Sequence, residues 1–201
     1  MRPKSITYSP IASDADGWCL SQTPGAAGAL TLDGVLAGTT LSTAQHVSVS
    51  CAGADSGRTF IITGTDWLGN KLTETIAGSA SSITNGTENF LSVSEVTVDA
   101  ATAGAITVGI LGTLETPWIP LDYHINPFQY TYSVDIGTAT FVVEGTLSDI
   151  QNSTVTPVAY TIEASGSVDV TSNKTAVTRA IRLKVTAFTS GDIIFLIMQP
   201  G

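Results

Sequence analysis

The chain has 201 residues, a formal charge of -9 and a pI near 4.4, so a nucleic-acid or anionic-membrane surface would repel it as a whole. Charged residues make up only 12%, while serine and threonine together supply about a quarter of the chain, a composition that forms strands better than helices. We therefore expect an all-β protein, long enough to bury a core without disulfides.

Residues 1 to 24 carry Pro3, Pro10 and Pro24 with little periodicity and read as an extended N-terminal arm or a peripheral strand. The start has no apolar signal-peptide core, so Cys19 and Cys51 are expected as free buried thiols in a chain made in the cytosol. "DADG" at Asp14 to Gly17 resembles the opening of a calcium loop but lacks the closing glutamate, and is expected to be a plain turn. "ALTLDGVLAG" then opens a series of short strands spaced 8 to 12 residues apart, the signature of a sandwich or barrel.

The sharpest local signal is "RTFIITGTDWLGNKLTETIAG", residues 58 to 78, where two alternating runs flank a short polar connection. A three-residue loop of Trp67, Leu68 and left-handed Gly69 fixes the register, pairing Thr65 with Lys71 and so on to Phe60 with Ile76. Phe60, Ile62, Leu72 and Ile76 then face the core, and a threonine-rich face with Ile61 is left for solvent or a partner. Glu74 falls on the core face, where a strand end or a cation such as Arg58 would satisfy it.

After "NFLSVSEVTVDA" and "GAITVGILGTL", Pro117, Pro120 and Pro127 interrupt the pattern, and a domain boundary is expected near residue 116. The strands resume with "FQYTYSVDI", "TATFVVEGTL", "VAYTIEASGSV", "AVTRAIRLKVTAF" and "DIIFLIMQP". "IIFLIM" does not alternate, which predicts a central strand covered on both faces, and it is far too short to span a bilayer. The expected organisation is an arm at 1–24, one small β-sandwich at 25–115, a proline-rich linker at 116–127 and a second sandwich at 128–201, of jelly-roll or immunoglobulin-like type.

Chemistry is sparse in this pattern. His46 and His124 have no metal-ligand spacing, and His124 beside Asp122 lacks a nucleophile motif to complete a triad. Asp99, Glu144 and Glu163 offer carboxylates without a defined spacing, so no catalytic residue, metal or cofactor is assigned. Trp18, Trp67 and Trp118 fall in expected loops, where an indole can lie back on its own sandwich, fill a partner's pocket or stack on a sugar ring.

"RTFIITGTDWLGNKLTETIAG" followed by "VSEVTVDAATAGAITVGILG", and the ending "AIRLKVTAFTSGDIIFLIMQPG", resemble virion structural proteins of tailed bacteriophages. The resemblance covers roughly residues 25 to 112 and 158 to 201. It implies a non-enzymatic β-sandwich protein of the virion, such as a capsid decoration or cement protein, assembled in the host cytoplasm. Its implied partners are the major capsid protein or other virion proteins and copies of itself, as in a trimer. Ile6, Tyr8 and Ile11 of the arm, Trp67 of the hairpin and Trp118 of the linker are the candidate partner-binding residues. A tail, neck or fibre protein with a carbohydrate or receptor role is the alternative.

Overall fold

The structure, a computed structural model, describes residues 3–124, 127–152 and 154–199, and the regular elements among them are strands. In chain order the first nine are β1 (Lys4–Tyr8), β2 (Asp14–Gln22), β3 (Gly28–Ala29), β4 (Gln45–Cys51), β5 (Thr59–Thr65), β6 (Lys71–Ala77), β7 (Ile83–Phe90), β8 (Ser92–Val98) and β9 (Ile106–Ile110). They are followed by β10 (Leu114–Glu115), β11 (Ile119–Pro120), β12 (Tyr130–Thr146), β13 (Ala159–Gly166), β14 (Val170–Lys174) and β15 (Ala180–Met198). All paired strands for which a register is defined run antiparallel.

Two compact units divide the chain: Pro10–Leu114 forms one, and Met1–Ser9 joins Glu115–Gly201 in the other. The first unit is thus inserted into the second, between β1 and the remainder of its sheet. The stretch expected as an extended arm or a peripheral strand is paired strand on both sides of that crossing. Residues 4–8 pair in register with Ile197 to Ile193 of β15, and β2 pairs with β9.

In the inserted unit two four-stranded sheets, ordered β2-β9-β4-β7 and β3-β8-β5-β6, contribute to a single hydrophobic cluster. Trp18, Phe60, Ile62, Phe90, Ile106 and Ile110 are its fully buried members with the largest side chains. Trp18 was expected in a loop, and "DADG" as a turn. Both belong to β2, whose register against β9 shifts between Asp14 and Cys19, so the segment bulges and shows no alternation to read. "ALTLDGVLAG" contributes only the last residue of β3 before turning, and β7 is a strand that its polar sequence "ITNGTENF" concealed.

The hairpin has the expected register, from Thr65 opposite Lys71 to Phe60 opposite Ile76. Its loop closes through Asp66 N to Asn70 O at 2.9 Å, and the Asp66 carboxylate accepts from the backbone of Leu68 and Asn70. Gly69 sits at φ 80°, where an L side chain costs about 1–2 kcal/mol. Gly69→Ala should therefore lower the unfolding free energy by about 1 kcal/mol, and Gly69→Asn by less, read from the urea midpoint at unchanged m. Glu74 is held by β7 rather than by Arg58: its carboxylate accepts from Thr87 N at 2.6 Å and Thr87 Oγ1 at 3.1 Å. Gly86 makes room for it, because a Cβ there would lie 2.5 Å from Glu74 Oε2.

The other unit is built on one long ribbon. The 17-residue β12 pairs with the 19-residue β15 from Thr131 opposite Met198 to Thr146 opposite Ala180. Outer strands flank both halves: β1 and β11 lie along β15, while β14 and β13 lie along β12. Register shifts cluster between Ile136 and Phe141, where Gly137 faces Gly191, itself at φ 91°. A Cβ on Gly191 would sit 2.9 Å from the Gly137 Cα, so both positions must lack one for the strands to bend this closely.

The bend folds the ribbon back on itself. Leu121 N bonds Arg179 O at one end of β15, and the adjacent Asp122 N bonds Gln199 Oε1 at the other. Likewise Tyr132 Oη, near the start of β12, donates to Glu163 Oε2 on β13 at 2.8 Å, although β13 flanks the opposite half. The inward residues Tyr130, Tyr132, Val134, Phe141, Phe195 and Ile197 are buried between the two layers this creates.

Candidate interaction surfaces

The five residues singled out from sequence are divided between the two units. Ile11 and Trp67 belong to the inserted unit, and Ile6, Tyr8 and Trp118 to the ribbon unit. Tyr8 is 4% exposed and its hydroxyl is hydrogen-bonded to Thr116, so it lies inside its own unit, and burial raises its pKa above the usual phenol value. Ile6 is half-buried opposite Phe195. Ile11 remains exposed, but its backbone N–H and C=O are both taken by the Gln45 side chain, at 2.7 and 2.8 Å. At the hairpin tip Trp67 is half-buried, and the residue presented to solvent is its neighbour Leu68.

Trp118 covers a charge cluster. Arg182 reaches Glu115 Oε2 at 2.5 Å and Glu144 Oε2 at 2.7 Å, Lys184 reaches Glu115 Oε1 at 2.7 Å, and the Arg182 guanidinium lies 4.5 Å from the Trp118 ring centroid. These side chains point to the outer side of β12 and β15, because Ile181, Leu183 and Val185 between them point inward and are buried. Glu163 is likewise engaged, by Tyr132 and by Lys174 at 3.4 Å. Asp122 accepts from the backbone N of His124 at 3.0 Å, an Asx-type turn rather than a contact that orients the imidazole.

Comparison with family models, characterised proteins and solved structures finds no match. The surfaces are therefore read from their own chemistry.

Two of them stand out. The first is a face of the ribbon unit where β1, β15, β12 and β14 lie side by side. Ser5, Leu196, Ser133 and Thr171 form one row across it, Thr7, Ile194 and Asp135 a second, and Met198, Thr131 and Asn173 a third. Ile193, Phe195 and Ile197 of β15 are fully buried, but Ile194, Leu196 and Met198 are 37%, 38% and 47% exposed. The run "IIFLIM" is central in its sheet as expected, yet among the described residues of this unit only one of its faces is fully covered. In this protein outward positions on strands are otherwise mostly hydroxyl-bearing or charged, so three consecutive outward apolar residues on one strand depart from the local pattern.

The second is the end of the unit opposite the bend, where three loops meet at Arg179. Its guanidinium bonds Asp149 at 3.3 Å and lies 5.1 Å from the Tyr123 ring. Around it Leu147, Val158, Tyr160 and Val177 are exposed, with Val158 tied to Thr146 and Ser148, and Tyr160 Oη bonded to Thr178 at 2.6 Å. Sequence periodicity does not reveal this cluster, because its members are brought together only when the ribbon doubles back.

Cys19 and Cys51 are both buried free thiols. Burial, and then the negative charge of Asp33, push the Cys19 thiol up to about 12 from 9.0. A folded-state pKa above the unfolded one means that this thiol's contribution to stability is complete below pH 9 and is lost as pH rises toward 12. Neither thiol of the native protein should react with a thiol-specific reagent at neutral pH, and both should react in denaturant; rapid native labelling of Cys19 would contradict its burial.

Proposed function

We propose that this protein is a non-enzymatic structural component of a tailed-phage virion, a capsid decoration or cement protein that bridges neighbouring subunits of the head. The observation that carries the reading is the strand order of the ribbon unit. Divided at the bend, β12 and β15 give two segments each, and the eight segments in chain order lie as first, eighth, third, sixth in one layer and second, seventh, fourth, fifth in the other. That is the order of a jelly roll, an architecture that recurs in viral capsid proteins and lectins. We read the inserted unit, with one core between two four-stranded sheets, as the second β-sandwich.

The resemblance of the hairpin and of the C-terminal strand to phage virion proteins supports the same assignment. An acidic chain also suits the outside of a capsid better than its DNA-lined interior. The partners on this reading are the major capsid protein and further copies of the chain. Purified protein added to capsids that lack it should bind and raise their resistance to heat. Failure to bind any virion particle would sink the proposal.

The loop cluster around Arg179 favours a second reading, a tail, neck or fibre protein that holds a carbohydrate receptor. Tyr123 is an exposed ring backed by a guanidinium with a carboxylate beside it, chemistry that suits stacking on a sugar. A glycan array without signal, or binding unchanged by Tyr123→Ala, would remove this alternative.

A further inference from the structure

We infer that the four-stranded face centred on Ile194, Leu196 and Met198 is the contact through which copies of this chain associate, each presenting the same face to another. This extends the oligomer in the reading above and stands or falls separately from it, because capsid binding plays no part in the test.

Three observations carry the inference. The first is the missing cover on β15: a strand buried on both faces reads as a continuous apolar run, and "IIFLIM" reads so while one of its faces is exposed. The second is charge. The protein carries -9, so two copies repel one another through most of their surface, yet the three rows of this face hold a single charged residue, Asp135. A basic partner would be selected by a cluster of carboxylates, whereas these rows supply only that of Asp135, and an apolar stripe with so little charge has the composition of an interface core. The third is self-complementarity. Ser5, Thr7, Thr131, Ser133 and Thr171 flank the stripe with hydroxyls that both donate and accept, so the frame can satisfy a copy of itself.

The size of the face sets the strength. Four strands about 4.8 Å apart and five residues rising about 3.4 Å each span on the order of 300 Å². A stable interface uses about 800 Å² per partner, so this face supplies the core of a contact that forms reversibly and depends on concentration.

The other edge of the ribbon is guarded against pairing. Glu163 on β13 and Lys174 on β14 face each other and the Tyr132 hydroxyl, and inward-pointing charge of this kind discourages edge-to-edge addition.

Sedimentation equilibrium of the full chain from about 1 to 100 µM should show a mass rising above the 20.7 kDa monomer. Leu196→Asp should weaken that association at least about tenfold. Val158→Asp, in the loop cluster, should leave it unchanged. Leu196→Thr, which continues the hydroxyl pattern of the neighbouring strands, should weaken it while keeping the melting temperature, and it serves if the aspartate variant does not fold. A wild-type protein that stays monomeric throughout, or an oligomer unaffected by either Leu196 change, overturns the inference.

Discussion

Removal of residues 1–24 should abolish folding of the inserted unit and destabilise the ribbon unit, rather than trim a loose arm. The segment includes β2, whose Trp18 and Cys19 are 0% exposed within the hydrophobic cluster. Truncating one large buried aromatic costs about 3–5 kcal/mol, and a domain holds only about 5–15 kcal/mol in all, so losing a whole strand with that aromatic exceeds the margin. The same deletion strips β1 and leaves the outer edge of β15 without its partner from Ile193 to Ile197. Removing only residues 1–9 tests the two effects separately: the inserted unit should keep its cooperative unfolding while the ribbon unit loses its own. A soluble, cooperatively folded 25–201 protein would show that β2 is dispensable. Within β2, Trp18→Phe should cost much less than Trp18→Ala, because the Trp18 indole N–H is buried without a hydrogen-bond partner among the described residues and phenylalanine removes that group.

Arg182→Ala should be the most damaging single change on the outside of the ribbon unit, lowering its stability by about 3 kcal/mol. The side chains of Arg182, Glu115 and Glu144 are only 18%, 22% and 13% exposed, so the two carboxylates would lose their shared cation in a poorly solvated place. Trp118 would lose the guanidinium it lies against. For a unit of this size the melting temperature should fall by roughly 10–20 °C. Arg182→Lys should fall between, since an ammonium cannot serve both carboxylates with the planar fork of a guanidinium. A loss below about 0.5 kcal/mol would mean that the cluster behaves as ordinary solvated ion pairs.

How much of this was legible in the chain depended on how local the cause was. The register from Phe60 to Ile76 was legible because alternation and one glycine determine a hairpin without reference to the rest of the molecule. The all-β class followed from composition for a similar reason. The bend was not legible: Gly137 and the "TSGD" of 189–192 look like turns between separate strands, whereas they are the bent middle of two continuous ones. Glu74 was placed on the correct face with the wrong partner, because β7 approaches from another sheet and nothing in its own sequence announces that. The candidate surfaces share this limit. Tyr8 was expected in an arm or peripheral strand and free for a partner, Leu196 in a strand covered on both faces, and the pairing of β1 with β15 shows Tyr8 turned inward and Leu196 outward.

The insertion of one unit inside the other also orders events in time. The partner of Lys4–Tyr8 is Ile193–Ile197, so the chain between them must be made before that pairing can form. At about 5–20 residues per second a ribosome needs on the order of ten to forty seconds for that stretch. The inserted unit has all its strands contiguous and can fold during the wait, while β1, already made, remains an unsatisfied strand. Closure of the ribbon unit is then the slow, long-range step of synthesis, and the interval before it is when two growing chains stand the best chance of exchanging their first strands.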